Sequence, residues 1–131
     1  MESWEHLWTL YDMATSEEQW QFAQDVGLLL HFAEKNGYKL TFGDAFRSKQ
    51  EQQRVFDAGL SKTLSSRHAV RCAVDFNIWK DTASTWGLPA DERHEVVKPL
   101  GDFWESLDEK NSWGVKRGAQ DWDEGHFERM G

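Results

Sequence analysis

The chain has 131 residues, of which 39% are hydrophobic and 29% are charged. This composition is typical of a globular domain with its own core and argues against a disordered chain. The net charge of −8 argues against a nucleic-acid partner, because phosphate binding rests on cationic contacts. No apolar run approaches membrane-spanning length, so we expect no membrane partner. The lone Cys72 excludes an internal disulfide and a thiolate-rich metal site.

The first residues are acidic and lack the basic and apolar regions of a secretory signal, so we expect synthesis in the cytoplasm without a signal peptide. Apolar residues at helical spacing then predict a short first helix. They are Trp4, Leu7, Trp8 and Tyr11.

A capping box at Ser16 and Gln19 predicts a second helix that runs to about Lys35 and ends at Asn36-Gly37. Its inward positions are predicted to include Trp20, Ala23, Leu30 and Ala33. The alternation in Tyr38 to Phe42 predicts a strand.

Another capping box, Ser48 with Glu51, predicts a helix from about Lys49 to Ala58. This helix start places Arg47 at a strand-to-helix junction. The polar stretch 60–67 is predicted to be a loop.

The segment from Cys72 to Ile78 has the period of a strand with one apolar and one mixed face, so Asp75 is predicted to point away from the core. The stretch 82–89 is irregular, whereas the spacing of Leu100 to Leu107 predicts a helix. Residues 111–118 predict a hairpin or loop, and 126–128 a final short strand. One α+β domain over 1–131, with helices flanking a small antiparallel sheet, is the simplest account.

The residues with metal-binding chemistry lie far apart along the chain. His68 and Asp75 are seven positions apart, and His126 follows near the other end. Two imidazoles and one carboxylate suit a catalytic zinc site, which needs three protein ligands and an open position. Because an odd separation puts two residues on opposite faces of a strand, His68 must lie in a loop or beyond a bulge to join Asp75.

Two acidic residues are candidates for the general base. Asp123 lies three residues before His126, and a turn at Gly125 would bring both side chains to one cavity. Asp123 would then take a proton from the attacking water and pass it to the leaving amine. Glu124 is the alternative, because it shares strand parity with His126 if no turn forms. The stretch is equally consistent with a solvated acidic turn.

Three separated motifs in this order resemble a family of zinc peptidases. They are Arg47-Ser48 with Gln52, Ser66-x-His68 followed by Asp75, and Asp123-x-x-His126-Phe127. The family includes D-alanyl-D-alanine dipeptidases and carboxypeptidases and the L-alanyl-D-glutamate endopeptidases of phage endolysins. The resemblance implies a Hedgehog/DD-peptidase-like fold with the zinc cleft on the mixed face of the sheet.

The resemblance also implies roles for individual residues. His68, Asp75 and His126 would bind Zn²⁺, and Asp123 would be the base. Arg47 would stabilise the oxyanion that develops on the scissile carbonyl.

Three further residues are predicted to contact substrate. Ser66 and Gln52 match motif positions, and Arg71 stands where many relatives have glycine. On strand parity with Asp75, Arg71 would orient that carboxylate or receive a substrate carboxylate.

The expected function is hydrolysis of the peptidoglycan stem peptide, at the L-alanyl-D-glutamate bond, by a monomer released to the wall through a separate lysis pore. A D-alanyl-D-alanine carboxypeptidase or dipeptidase is the alternative enzyme. A catalytically silent wall-binding domain or a phage structural domain is the alternative of another class. Tryptophans near the predicted cleft suggest sugar stacking, although most are better explained as core residues.

Overall fold

The computed structural model describes residues 16–44, 49–59, 71–115 and 123–131. The helices in these ranges are α1 (Ser16–Lys35), α2 (Lys49–Asp57) and α3 (Ala90–Leu107), with a 3₁₀ helix at Thr85–Gly87. The strands are β1 (Tyr38–Phe42), β2 (Ala73–Lys80), β3 (Ala83–Ser84), β4 (Asn111–Trp113) and β5 (His126–Arg129). Among the described helices, none combines the length and the apolar character needed to span a bilayer.

The described strands form one antiparallel sheet in the order β1-β2-β5-β4, and β3 pairs with the end of β2. Strand β2 is central because it pairs with both β1 and β5, which are far apart in the sequence. This arrangement of helices and a small antiparallel sheet confirms the predicted α+β class.

The core lies between the sheet and the helices α1 and α3. Alternate residues of β2, namely Val74, Phe76 and Ile78, are buried, whereas Asp75 is half-buried. This burial confirms the predicted two-faced strand and leaves Asp75 on the face away from the core. Trp104 of α3 is fully buried, and its indole N–H donates to the carbonyl of Glu128 at 3.1 Å.

The predicted inward face of α1 was wrong in part. Ala33 is buried, but Ala23 is exposed and Trp20 is 60% exposed. The buried positions of α1 are Phe22, Asp25, Leu29 and Ala33. The carboxylate of Asp25 accepts hydrogen bonds from Gln21 and Asn111, so a charged residue lies in the core and the buried face differs from the predicted one.

The structure also corrects or completes the predictions for the segments between the main helices and strands. The stretch 82–89 is not wholly irregular, since it contains β3 and the 3₁₀ helix. Part of the predicted hairpin or loop at 111–118 is the strand β4, which pairs with β5. The predicted helix near the start and the predicted loop at 60–67 lie outside the described residues.

Candidate metal centre

Strand pairing brings two of the predicted site residues together. Asp75 of β2 lies directly opposite His126 of β5, and both point to the face of the sheet away from the core. The Nδ1 atom of His126 is 2.8 Å from Oδ1 of Asp75. The contact therefore depends on pairing between segments that are 51 residues apart.

A turn at Glu124-Gly125 adds Asp123 to this pair. The amide of His126 donates to the carbonyl of Asp123 at 3.2 Å, and the amide of Phe76 donates to the carbonyl of Gly125 at 2.8 Å. A Cβ atom on Gly125 would lie 2.4 Å from the carbonyl oxygen of Phe76, so a side chain there would push the turn off β2. The turn is the one anticipated from Gly125 in the sequence.

Gly114 supports the same turn from the other side. Its amide donates to the carbonyl of His126 at 2.8 Å, and its carbonyl accepts from the amide of Asp123 at 3.2 Å. An added Cβ would lie 2.1 Å from the carbonyl oxygen of Asp123. The close approach of the two backbones therefore holds Asp123 and His126 in a fixed relation.

Asp75, Asp123 and His126 each offer one ligand atom, and these atoms all lie within 4.8 Å of one another. Carboxylate oxygen and imidazole nitrogen are the donors that zinc uses in catalytic sites without cysteine. The donor chemistry and the spacing therefore fit a single divalent ion.

Neighbouring charges change the pKa values of His126 and Asp123. Burial lowers the pKa of His126, but the hydrogen bonds to Asp75 and Glu128, together with the charges of both, raise it to about 10. The pKa of Asp123 is raised, first by the loss of surrounding water and then by the charge of Asp75. Asp123 nevertheless remains exposed to solvent. A cation at this position would relieve the repulsion between the carboxylates.

Glu124, the alternative base, is directed elsewhere. It is 3% exposed, and its Oε2 atom lies 3.0 Å from Nε of Arg93 in α3. The guanidinium of Arg93 in turn lies 5.3 Å from the ring centre of Trp86. Because a turn does form, Glu124 loses the shared parity with His126 on which its candidacy depended.

Of the other predicted site residues, His68, Arg47 and Ser66 lie outside the described residues. Gln52 lies in α2, but its side chain is outside the described part. Arg71 precedes β2 in a left-handed conformation, with φ of 62°, so the argument from strand parity does not apply to it. It lies at an apolar cavity of about 380 Å³ that is also lined by Phe22, Val26 and Phe42.

Glu128 is a further residue of the candidate site, and the motifs did not predict it. Its Oε1 atom lies 2.8 Å from Nε2 of His126. Residues two apart on a strand share a face, so the position of Glu128 in β5 was a usable signal. The imidazole thus lies between two carboxylates, Asp75 at one ring nitrogen and Glu128 at the other.

In comparisons with known proteins, no family model matches the chain. An L-alanyl-D-glutamate peptidase of Listeria phage A118 is 34% identical over 80 residues, which cover 58% of this chain. The chain spans 28% of the length of that curated relative.

Two solved structures share the fold. The L-Ala D-Glu endopeptidase ChiX of Serratia marcescens matches with a TM-score of 0.63 and 19% identity, over 92% of this chain and 89% of that chain. A mutant of the vancomycin resistance D,D-pentapeptidase VanY, from a VanB-type resistance cassette and in complex with Zn(II), matches with a TM-score of 0.57 and 14% identity. That match covers 85% of this chain and 71% of the VanY chain. The resemblance and the fold predicted from the motifs are confirmed.

Proposed function

We propose that this chain is a zinc-dependent peptidase that cleaves the stem peptide of peptidoglycan between L-alanine and D-glutamate. The observation that carries the proposal is the convergence of Asp75, Asp123 and His126, whose ligand atoms lie within 4.8 Å of one another. Two of these residues lie opposite each other on the paired strands β2 and β5, and the third is placed by a glycine-dependent turn. Such a polar group on the open face of a sheet suits a substrate cleft better than a structural role.

We propose that His68, Asp75 and His126 hold the metal ion. Zinc, when bound, supplies Lewis acidity that polarises the scissile carbonyl and acidifies the attacking water. The pairing of β2 with β5 presents Asp75 and His126 from rigid elements, which keeps the two ligands at a fixed separation.

Asp123 is the proposed general base. Its raised pKa and its exposure to solvent suit a carboxylate that takes a proton from the attacking water as the water oxygen bonds to the carbonyl carbon. When the C–N bond breaks, Asp123 returns this proton to the departing amine. Arg47 is the proposed partner of the oxyanion, because a fixed cation stabilises charge that develops on the carbonyl oxygen.

The similarity of this chain to two known proteins supports the L-alanyl-D-glutamate bond as the scissile bond. The phage relative is named as an L-alanyl-D-glutamate peptidase, and ChiX as an L-Ala D-Glu endopeptidase. We further propose that the 131 residues act as one monomeric domain. A role in phage lysis, in which a separate pore releases a cytoplasmic enzyme to the cell wall, follows from the same resemblance.

A D-alanyl-D-alanine carboxypeptidase or dipeptidase is the second candidate. It is favoured by the shared fold with the D,D-pentapeptidase VanY. Both candidates use the same metal chemistry and differ in the position of the scissile bond.

Mass spectrometry of muropeptides digested by the zinc-loaded protein tests the proposal. We expect new L-alanine carboxyl termini and D-glutamate amino termini, their loss after chelation, and their return when zinc is added. Release of terminal D-alanine would support the second candidate. A protein that neither binds zinc nor cleaves muropeptides would indicate the silent wall-binding or structural domain.

A further inference from the structure

We infer that Glu128 is a positioning residue that fixes the tautomer and the ring orientation of the metal ligand His126. The inference rests on the proposed metal site and names a residue that the motifs do not include. It is carried by the 2.8 Å contact between Oε1 of Glu128 and Nε2 of His126.

The two ring nitrogens of His126 face different carboxylates. Nδ1 faces Asp75, which belongs to the same group as Asp123, whereas Nε2 faces Glu128. A neutral imidazole carries one N–H and one lone pair, so a hydrogen held at Nε2 by Glu128 leaves the lone pair of Nδ1 for a metal ion. The carboxylate therefore selects the tautomer that binds zinc through Nδ1.

The backbone around Glu128 is held on both sides. It pairs with Ala73 of β2 and with Ser112 of β4, and its carbonyl accepts the indole N–H of the fully buried Trp104 at 3.1 Å. The Glu128 side chain is 22% exposed and that of His126 is 19% exposed, so water competes weakly for the contact. An anchored carboxylate in this position orients the imidazole before the metal arrives.

Zinc affinity measured by chelator competition, without reference to activity, provides the first test. We expect E128A to bind zinc about 10- to 100-fold more weakly than the parent protein, as is found when such supporting carboxylates are removed. E128Q should remain within about threefold, because its amide oxygen still accepts the Nε2 hydrogen. The control is E109Q, which removes a negative charge from an exposed position and should leave the affinity unchanged.

Nitrogen NMR of the His126 ring provides the second test and does not require a variant that folds. In the zinc-loaded parent protein, Nε2 should carry the hydrogen and Nδ1 should show the shift of a metal-bound nitrogen. Zinc on Nε2, or unchanged affinity in E128A, would overturn the inference while leaving the proposed function intact. A parent protein that binds no zinc would overturn both.

Discussion

At the scale of single residues, two neighbouring carboxylates of the candidate site lie in different surroundings. Asp123 joins the group formed by Asp75 and His126, whereas Glu124 is buried beside Arg93. Both residues were candidates for the general base in the sequence analysis, because the choice between them depends on whether a turn forms at Gly125. The turn forms where a side chain would collide with the backbone of β2, and this contact could not be known before the sheet was assembled.

The two carboxylates should therefore respond differently to the loss of charge. We expect D123N to lower kcat by about 10²- to 10⁴-fold, the usual contribution of a general base, while zinc is still bound. E124Q should keep kcat within a few-fold but unfold at lower temperature, because Arg93 loses its buried partner. Steady-state hydrolysis of a stem peptide and thermal melts measure both effects. A larger loss of kcat in E124Q than in D123N would contradict the assignment.

His126 should make the stability of the chelator-treated protein depend on pH. Its pKa is about 10 in the folded chain against an ordinary value of 6.5, so the folded chain holds a proton that the unfolded chain has lost at intermediate pH. The resulting stabilisation is complete below pH 6.5 and disappears as the pH rises through 10.

Urea unfolding in EDTA at several pH values measures this effect. The free energy of unfolding should fall by on the order of 2–4 kcal/mol across that window in the parent protein, and by much less in H126Q. If the free energy of unfolding fell equally in the parent protein and in H126Q, groups other than His126 would cause the pH dependence.

At the scale of elements, local sequence patterns predicted α1, β1 and β5 well. Helix-capping residues, the alternation of apolar and polar residues and a glycine at a helix end all act within a few residues of the chain. The inward face of α1 was predicted wrongly in part, because Asp25 finds hydrogen-bond partners in the core. The pairing of β2 with β5 brings Asp75 and His126 of the candidate site together, and it follows from contacts between distant segments that no local pattern encodes. Glu128 could have been found from strand parity alone.

Two helical glycines provide a matched test of the packing. A Cβ atom on Gly101 in α3 would lie 2.1 Å from the ring of Trp113, whereas nothing lies within 4 Å of a Cβ on Gly27 in α1. G27A should stabilise the fold by about 0.5–1 kcal/mol, because alanine favours a helix interior. G101A should destabilise it by about 1–3 kcal/mol through overpacking. Urea denaturation measures both, and stabilisation by G101A would contradict the described contact of α3 with β4.

At the scale of the whole molecule, the net charge of −8 would oppose approach to the anionic cell wall that is the proposed substrate. Moderate salt screens this repulsion, so the rate of wall clearing should rise severalfold between low and physiological ionic strength. Cleavage of a small uncharged stem-peptide analogue is the control and should change little. A rate of wall clearing that falls steadily from the lowest salt would contradict the expectation.

The proposed chemistry requires residues from distant segments of the chain to meet around one metal ion. Anomalous diffraction at the zinc edge, from crystals grown with zinc, locates the ion directly. The account predicts one zinc ion about 2.0–2.1 Å from Nδ1 of His126 and from a carboxylate oxygen of Asp75, with Asp123 nearby but beyond bonding distance. No zinc between these residues would contradict it, whereas zinc bound through Nε2 beside Glu128 would overturn only the role inferred for Glu128.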